Sequence, residues 1–471
     1  MKKLKYILYT VCLLVINSCS IDNVEPQEQL LEDTVITDES SAINVLNRIY
    51  NSTIRSGFYG ETNGAFDLGI SGLISVSGTT MRPEGTPFGM IPYFENNVPV
   101  DDNSISTLYR DMYFAINLSN FFIELVERGD ANVSDTRKNE LLAEARCMRG
   151  LAYFNLLRVF GQFYDLNSSF GTVVYTDPLR GNTEFPRSSV QETYNLILDD
   201  LQFASANANG GREHYYASAI TAQALLARVQ LYMGDYTNAA TNALAVINNT
   251  DGYMLDPSYA NVFNERWGAE TLLASFVNTE TEGTQGGLFA FDTQAPTTTF
   301  IDLADAQDGV LTDGSADFTT GYDPRFTFGF VQTTHPLFGK YPLGVGFTDP
   351  GNTAKILRMG EVYLIYAEAE ARRSGGVLAN ALTRLNEVRA RAGVMPKLLT
   401  DQATLLKDIR EEKILELYAE VGENWFDLVR YSQLGDIDVS TLKPSITSVD
   451  QLIFPIPADA LTGNSLLIPN P

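Results

Sequence analysis

Apolar side chains recur at helical spacing over most of the chain. A spacing of three to four residues between apolar positions, closed by a glycine, predicts helices at 107–128 and 141–160. A third helix is predicted at 189–208, because Ser188 or Ser189 can cap its first turn. The pattern is typical of an all-α, mainly helical protein.

Two stretches have the pattern of paired helices joined by a tight turn. In 219–249, small and apolar residues flank the turn Gly234-Asp235, and a similar pattern returns at 362–392 around Gly375. Small residues allow two helix backbones to approach closely, which resembles the tetratricopeptide helix pair. Such pairs cannot bury their apolar faces alone, so we expect them to stack into a superhelical scaffold.

Two long segments interrupt this helical pattern. Residues 58–99 are rich in glycine and proline, and residues 253–352 are rich in Gly, Thr, Asp and scattered aromatic residues. Irregular insertions of this length are uncommon unless they are functional. We therefore expect the helical scaffold to carry two loop-rich insertions that converge on one face.

The composition excludes several classes of protein. The 471 residues include 58 Asp and Glu against 33 Lys and Arg, a formal charge of -25, so the basic face of a nucleic-acid-binding protein is missing. The two histidines, His214 and His335, exclude a His-rich metal site and leave a Ser-His-Asp triad with two possible bases. No nucleophile elbow, Walker A loop, dinucleotide fingerprint or H-E-x-x-H motif occurs. These absences argue against an enzyme, whereas a carboxylate pair for glycoside hydrolysis can be neither found nor excluded among 58 acidic residues.

The N-terminus has the pattern of an export signal. A basic start is followed by an apolar run that is too short to span a bilayer. Ile16 stands three positions before Cys19, with the small Ser18 between them, which resembles the lipobox of bacterial lipoproteins. We predict a signal peptide at 1–18, a lipid on Cys19 and an extended acidic tether at 19–42.

Aromatic and polar residues of the insertions are the candidate ligand contacts. Sugar rings present C–H faces that dock on aromatic planes, while polar side chains hydrogen-bond to the hydroxyl groups. Trp267 is the first candidate, because it follows a polar run, and a tryptophan in such a position suggests a specific role. Any of these residues can instead be a local packing residue. The other candidates are Arg82, Phe88, Tyr93, Phe94, Asn96, Phe289, Phe291 and Tyr322.

Five aspartates crowd one short segment of the second insertion. Clustered oxygens on flexible loops suit hard cations such as Ca²⁺. Their spacing does not match the EF-hand loop, so a solvated acidic loop is the favoured interpretation, and a structural calcium site is the alternative. No other cofactor is predicted. The five residues are Asp302, Asp305, Asp308, Asp313 and Asp317.

The helical blocks carry a set of specific motifs in a fixed order. They are Leu142-Ala143-Glu144-Ala145 with Arg149, Ala224-Leu225-Leu226-Ala227-Arg228, Arg358-Met359-Gly360-Glu361, Leu385-Asn386 with Arg389 and Arg391, Trp425-Phe426-Asp427 with Arg430, and Phe454-Pro455-Ile456-Pro457. Together, and after a lipobox, these motifs resemble the SusD/RagB family of outer-membrane nutrient-binding lipoproteins. Asn424 departs from the pattern, since the family usually has Arg before the tryptophan.

The resemblance implies both an architecture and a role for the motif charges. It implies an N-terminal region at 43–270 and a C-terminal region at 271–471 that form one interwoven body. The charged motif residues lie among apolar helix positions, so we expect buried ion pairs that orient helices rather than ligand contacts. They are Glu361, Arg389, Arg391, Glu416, Asp427 and Arg430.

The resemblance also implies a function. It predicts a non-catalytic lipoprotein, anchored in the outer membrane and facing the cell exterior, that captures oligosaccharides. The ligand would pass to a SusC-like TonB-dependent β-barrel transporter. Two alternatives remain open: the same fold binding peptides for uptake, and a helical-repeat interaction module without a small ligand.

Overall fold

The computed structural model describes residues 35–58, 70–84, 89–181, 183–277, 294–330, 339–342 and 353–471. These residues form seventeen α-helices and four short β-strands. The helices are α1 (Glu39–Tyr50), α2 (Ile70–Ser77), α3 (Ile91–Phe94), α4 (Asn103–Arg128), α5 (Asp135–Phe160), α6 (Val190–Asn207), α7 (Ala219–Met233), α8 (Tyr236–Ile247), α9 (Tyr259–Asn264), α10 (Thr298–Asp305), α11 (Pro324–Phe330), α12 (Met359–Arg372), α13 (Leu378–Ala392), α14 (Gln402–Leu417), α15 (Glu423–Gln433), α16 (Val439–Leu442) and α17 (Ala458–Gly463). The strands are β1 (Met81–Pro83), β2 (Thr271–Ala274), β3 (Gln294–Pro296) and β4 (Lys355–Arg358).

The predicted helices of the N-terminal half are confirmed. Helix α5 is central, packs against α4 and α6, and is buried over almost all of its last twenty residues. Ser189 caps α6: its hydroxyl accepts from the Glu192 N–H at 3.1 Å, while the Glu192 carboxylate accepts from the Ser189 N–H at 2.8 Å. Helices α4 and α5 begin four and six residues earlier than predicted, at Asn103 and Asp135, because Asp102 and Ser134 cap their first turns.

Both predicted helix pairs are also confirmed. In the first, Gly234 adopts φ +77° and ends α7, and the Asp235 side chain caps α8 by accepting from the Asn238 N–H at 3.2 Å. Ala227 and Ala239 are fully buried where the two helices meet. Helix α8 also packs against α12, which in turn packs against α13, so the two pairs form a continuous tetratricopeptide-like stack.

The predicted extended tether is wrong for residues 39–42, which form the first turn of α1. Asp38 and Ser41 make a capping box, with the Ser41 N–H donating to the Asp38 carboxylate at 2.8 Å. Ala42, Leu46 and Ile49 are buried on one side of the helix. The rest of the proposed tether up to residue 34, with Cys19, lies outside the described residues. No helix within the described part of the chain is long and apolar enough to cross a membrane.

Two small antiparallel ladders tie the insertions to the body. Strand β1 of the first insertion pairs with β3 of the second, with Arg82 opposite Ala295. This pairing confirms that the two insertions meet. Strand β2 pairs with β4, with Thr271 opposite Arg358 and an irregular register along the ladder. Because β4 leads directly into α12, the second ladder joins the second insertion to the helical stack.

A buried network of ion pairs joins the C-terminal helices, as the motif charges predicted. The Arg358 guanidinium donates to Glu270 and Glu420, each at 2.8 Å, and also pairs with Glu416. Arg391 pairs with the same Glu270, at 2.8 Å, and with Glu416. Further pairs join Arg389 to Glu412, Arg430 to Glu368 and Asp427, and Arg228 to Glu361.

The environment of Glu416 shows how the network offsets the cost of burial. Burial by itself raises the pKa of the Glu416 carboxyl, but the guanidinium groups of Arg391, Arg358 and Arg325 outweigh it and hold that pKa well below its ordinary value. The carboxylate is therefore charged and paired at neutral pH. Removing one partner of such a buried pair leaves an uncompensated charge, which typically costs about 3–5 kcal/mol.

The network also leaves no room for a side chain at Gly360. A Cβ atom there would lie 2.5 Å from Arg358 Nη1 and 2.7 Å from Glu416 Oε1. We predict that Gly360→Ala lowers the free energy of unfolding by about 2 kcal/mol or more, because the ion pairs must shift. Urea unfolding measures this change. Gly210→Ala is the matched control, since a Cβ at Gly210 meets nothing within 4 Å; equal stability of the two variants would contradict the prediction.

Candidate functional site

Trp267 lies against two other aromatic rings at the surface. Its indole is parallel to the Phe276 ring within 9°, with centroids 6.0 Å apart, which is an offset arrangement. The Tyr215 ring meets both of them edge to face, at 5.0 Å from Trp267 and 4.9 Å from Phe276. Phe276 is 46% exposed, and the other two rings are half-buried. We call Tyr215, Trp267 and Phe276 the aromatic platform.

Three separate segments build the aromatic platform. Tyr215 lies in the connection between α6 and α7, Trp267 lies between α9 and β2, and Phe276 follows β2. The indole Nε1–H donates to the Ser275 carbonyl at 3.2 Å. Ser275 is in turn paired with Ala354, next to β4, through two hydrogen bonds of 3.1 and 2.9 Å. The β2–β4 ladder therefore extends to the platform and holds the polar edge of the indole.

A cleft of about 330 Å³ adjoins the aromatic platform. This volume lies at the lower end of the range for small-molecule sites. Its far wall comes from the end of α1 and the π-helical turn Asn51–Phe58 that continues it. The cleft therefore combines aromatic faces with amide and phenol groups, which suit hydroxyl-rich ligands. Its lining residues are Asn47, Tyr50, Asn51, Ile54, Tyr215, Tyr216 and Phe276.

The charge beside this cleft is already compensated. The Arg212 guanidinium lies 3.9 Å from the centroid of the Tyr216 ring and pairs with the buried Glu144 carboxylate. Glu144 also accepts from the Tyr50 hydroxyl at 2.7 Å. Burial raises the pKa of Glu144, although Arg212 and the hydrogen bond from Tyr50 oppose that shift. The arrangement favours a neutral ligand over an anionic one.

Two candidates from the first insertion are core residues. Tyr93 is fully buried, donates to the Asp102 carboxylate at 2.9 Å and packs edge to face on Phe454. Asn96 is 4% exposed, and its amide bridges the Ser77 carbonyl and the Ser445 hydroxyl. Their polar atoms are used inside the protein, so the structure gives neither residue a surface for ligand contact.

The remaining described candidates do not reach the aromatic platform. Phe94 is half-buried under the Lys443 ammonium, 4.6 Å from its ring centroid. Arg82 is exposed and pairs with Glu84 at 2.7 Å. Tyr322 packs against Phe318 and Phe326 in a separate aromatic cluster. The three candidates that lie outside the described residues are Phe88, Phe289 and Phe291.

The alternative calcium site at the aspartates of the second insertion stays a prediction. Across the described ranges, no three acidic, histidine or cysteine side chains come together to hold a metal. Asp305 is buried and accepts from the backbone N–H groups of Thr312 and Gly314. Asp317 accepts from the Thr319 hydroxyl at 2.7 Å. These two carboxylates, of the five at Asp302, Asp305, Asp308, Asp313 and Asp317, therefore organise their own loop.

Sequence reasoning found one ring of the platform and missed the others. Tyr215 and Tyr216 follow the end of a predicted helix, and the adjacent aromatic pair in a polar stretch was the available signal. Asn47 and Asn51 follow the predicted tether, in a stretch for which no helix was predicted. Phe276 follows a short buried strand that the sequence pattern did not reveal.

Two other clefts have similar volumes but different chemistry. One of about 340 Å³ lies between α10, α14 and α15 and is lined mainly by aliphatic residues and by charged groups that are already paired, such as Lys413 with Asp427. The other, of about 350 Å³, lies beside Tyr113, Tyr175 and Phe185, whose rings stack on one another. Among these three clefts in the described part of the chain, the cleft at the aromatic platform has the exposed Phe276 ring together with the amides of Asn47 and Asn51.

Comparison of the sequence with known families finds two matches. The SusD family matches residues 304–446, and a family described as starch-binding and associating with the outer membrane matches residues 90–231. The chain is 25% identical to SusD-like protein P2 of Formosa agariphila, with 100% of this chain and 99% of that protein covered. It is 24% identical to a SusD-like protein of Bacteroides ovatus, with 78% and 72% covered.

Solved structures share the fold. A SusD superfamily protein from Bacteroides thetaiotaomicron superposes with a TM-score of 0.74 at 28% identity, covering 92% of this chain and 100% of that one. A laminarin-binding SusD-like protein superposes with a TM-score of 0.72 at 20% identity, covering 92% and 99%. The helical stack and its insertions are therefore a known arrangement.

Proposed function

The chain belongs to the SusD/RagB family, and on this premise we propose that it binds neutral oligosaccharides on the aromatic platform without cleaving them. The observation that carries the proposal is the Trp267–Phe276 pair: two parallel rings, of which Phe276 is 46% exposed and lines a cleft that also contains amide and phenol groups. Such rings dock the C–H faces of sugars. The amides of Asn47 and Asn51 also line the cleft, where the Asn47 Oδ1 accepts from the Tyr216 hydroxyl at 3.1 Å, and they add hydrogen-bonding groups to it.

Charge supports a neutral ligand. Arg212 beside the cleft is already paired with Glu144, and the whole chain carries a formal charge of -25. An acidic protein surface repels polyanions and slows their association. Sulfated or uronic-acid-rich glycans are therefore poor partners for this cleft. The laminarin-binding SusD-like structure and the starch-binding family description suggest glucans as the first ligands to test.

The proposal extends to the location and the partner. A lipid on Cys19 would anchor the protein in the outer membrane facing the exterior, in agreement with the outer-membrane association in the description of the matching family. A SusC-like TonB-dependent transporter would receive the captured oligosaccharide. Family membership supports both statements, and copurification from membranes tests the partner.

We predict that Trp267→Ala and Phe276→Ala each weaken oligosaccharide affinity about five- to tenfold, because each removes a stacking surface that contributes about 1 kcal/mol. Isothermal titration against starch and laminarin oligosaccharides measures the change. Leu398→Ala is the control, since this side chain is 81% exposed and does not line the cleft. A panel in which the protein binds peptides and no glycan would instead support peptide uptake.

We also predict that neutral oligosaccharides bind at least tenfold more tightly than sulfated or uronic-acid-containing ones of the same length. The physical reason is the paired state of Arg212 together with the negative charge of the chain. Titrations at 0.05 and 0.5 M salt separate the contributions, because salt screens the long-range repulsion. Tighter binding of the anionic series at both salt concentrations would contradict the neutral-ligand proposal.

Cys19→Ala should release the protein from the membrane fraction, because the lipid is the proposed anchor. Fractionation of cells that produce the variant measures this release. Cys147→Ala is the matched control, since Cys147 is a buried thiol inside α5 and carries no lipid in this proposal. Retention of the Cys19 variant in the membrane would show that another contact holds the protein there.

A further inference from the structure

The backbone on both sides of Trp267 is held by side chains from other parts of the chain. The Lys355 ammonium donates to the Glu265 carbonyl at 2.8 Å and to the Arg266 carbonyl at 2.6 Å. On the other side, the His214 ring Nδ1 lies 2.9 Å from the Gly268 carbonyl. Three of the carbonyls closest to Trp267 are thus hydrogen-bonded to buried or half-buried donors.

The Lys355 side chain that makes these backbone contacts is buried. It is 5% exposed, and its remaining hydrogen bond goes to the Thr271 hydroxyl at 3.3 Å. Burial lowers the pKa of the Lys355 ammonium to about 7. A buried ammonium needs acceptors for all of its donors, since each unmet donor costs free energy. The conformation of the loop before Trp267 is therefore the one that supplies those acceptors.

His214 links the two edges of the aromatic platform. A carbonyl can only accept, so the His214 Nδ1 carries the hydrogen that it donates to Gly268. The His214 carbonyl accepts from the Ala274 N–H at 3.0 Å, and the next residue in the chain is Tyr215 of the platform. The imidazole also packs on Tyr253, with centroids 4.8 Å apart. One residue thus fixes the Tyr215 connection and the Trp267 loop to each other.

We propose that Lys355 and His214 are positioning residues that hold Trp267 parallel to Phe276 and thereby set the affinity of the aromatic platform for its ligand. Neither residue lines the cleft; both contact the backbone beside Trp267, which lies parallel to Phe276, and Phe276 lines the cleft. The identity of the ligand as an oligosaccharide rests on the function proposed above. The orientation of Trp267 does not, and it can be measured without any ligand.

Tryptophan fluorescence reports that orientation. The chain has two tryptophans, and Trp425 is 1% exposed, so acrylamide quenching of the emission reports mainly Trp267. We compare Lys355→Met with Lys443→Met in the full-length protein. Lys443 is the matched control, because it is also buried and donates to three backbone carbonyls, those of Val76, Ser77 and Gly78, at 2.6–3.0 Å. Both variants lose a buried ammonium.

The expected result separates the two variants. Lys355→Met should change the quenching constant of Trp267 at least twofold and weaken glycan affinity about fivefold, while Lys443→Met leaves both as in the unaltered protein. Thermal unfolding verifies that each variant is folded at the measuring temperature. Equal quenching constants in both variants and the unaltered protein would overturn the proposal. Altered quenching in Lys355→Met, with no glycan bound by any form, would support the positioning and refute the proposed ligand.

A second pair of variants covers the case in which Lys355→Met does not fold. His214→Asn keeps a donor near the position of Nδ1, whereas His214→Leu removes it. Asn should preserve the quenching constant and the affinity, and Leu should shift both in the same direction as Lys355→Met. Identical behaviour of Asn and Leu would show that the hydrogen bond to Gly268 has no positioning role.

Discussion

The pairing of Arg358 with three carboxylates is the constraint on which the rest of the structure depends. Glu270 precedes β2, Glu416 lies in the last turn of α14, and Glu420 follows that helix, and all of them meet one buried guanidinium. Buried charges are tolerated only when they are paired and hydrogen-bonded. Three parts of the chain must therefore meet at one point: the second insertion, the helical stack and the C-terminal helices. A fold that separated them would leave buried charges without partners.

This constraint reaches the candidate site through β4. Arg358 ends the strand and Lys355 begins it, so the strand that carries the ion network also carries the ammonium that holds the Trp267 loop. The motif charges and the aromatic platform therefore have different roles. The charges orient the helices from inside, whereas the platform uses neutral rings on loops at the surface. A binding loop can change its ligand without disturbing the network, provided that its anchor remains.

Local features of the sequence were reliable guides to the helices. The cap at Ser189, the turn at Gly234-Asp235 and the apolar spacing of α5 depend on neighbouring residues, and all are present in the structure. Long-range features were harder to predict. Residues 39–42 were predicted to be extended because of their acidic surroundings. They are helical instead, because the apolar side of α1 packs into the core. Tyr93 and Asn96 lie on an irregular segment, and only tertiary packing buries them.

The sequence by itself determined the helical scaffold, the meeting of the two insertions and the buried role of the motif charges. Helical spacing and capping residues can be recognised directly in the order of residues, and charged residues among apolar helix positions must be paired, because burying an unpaired charge costs free energy. Only the tertiary structure decided which rings stand beside Trp267. Tyr215 and Phe276 are far from one another along the chain, and the hydrogen bond from the Ala274 N–H to the His214 carbonyl joins their two segments. Stacking and cleft shape depend on such distant neighbours, which no local pattern encodes.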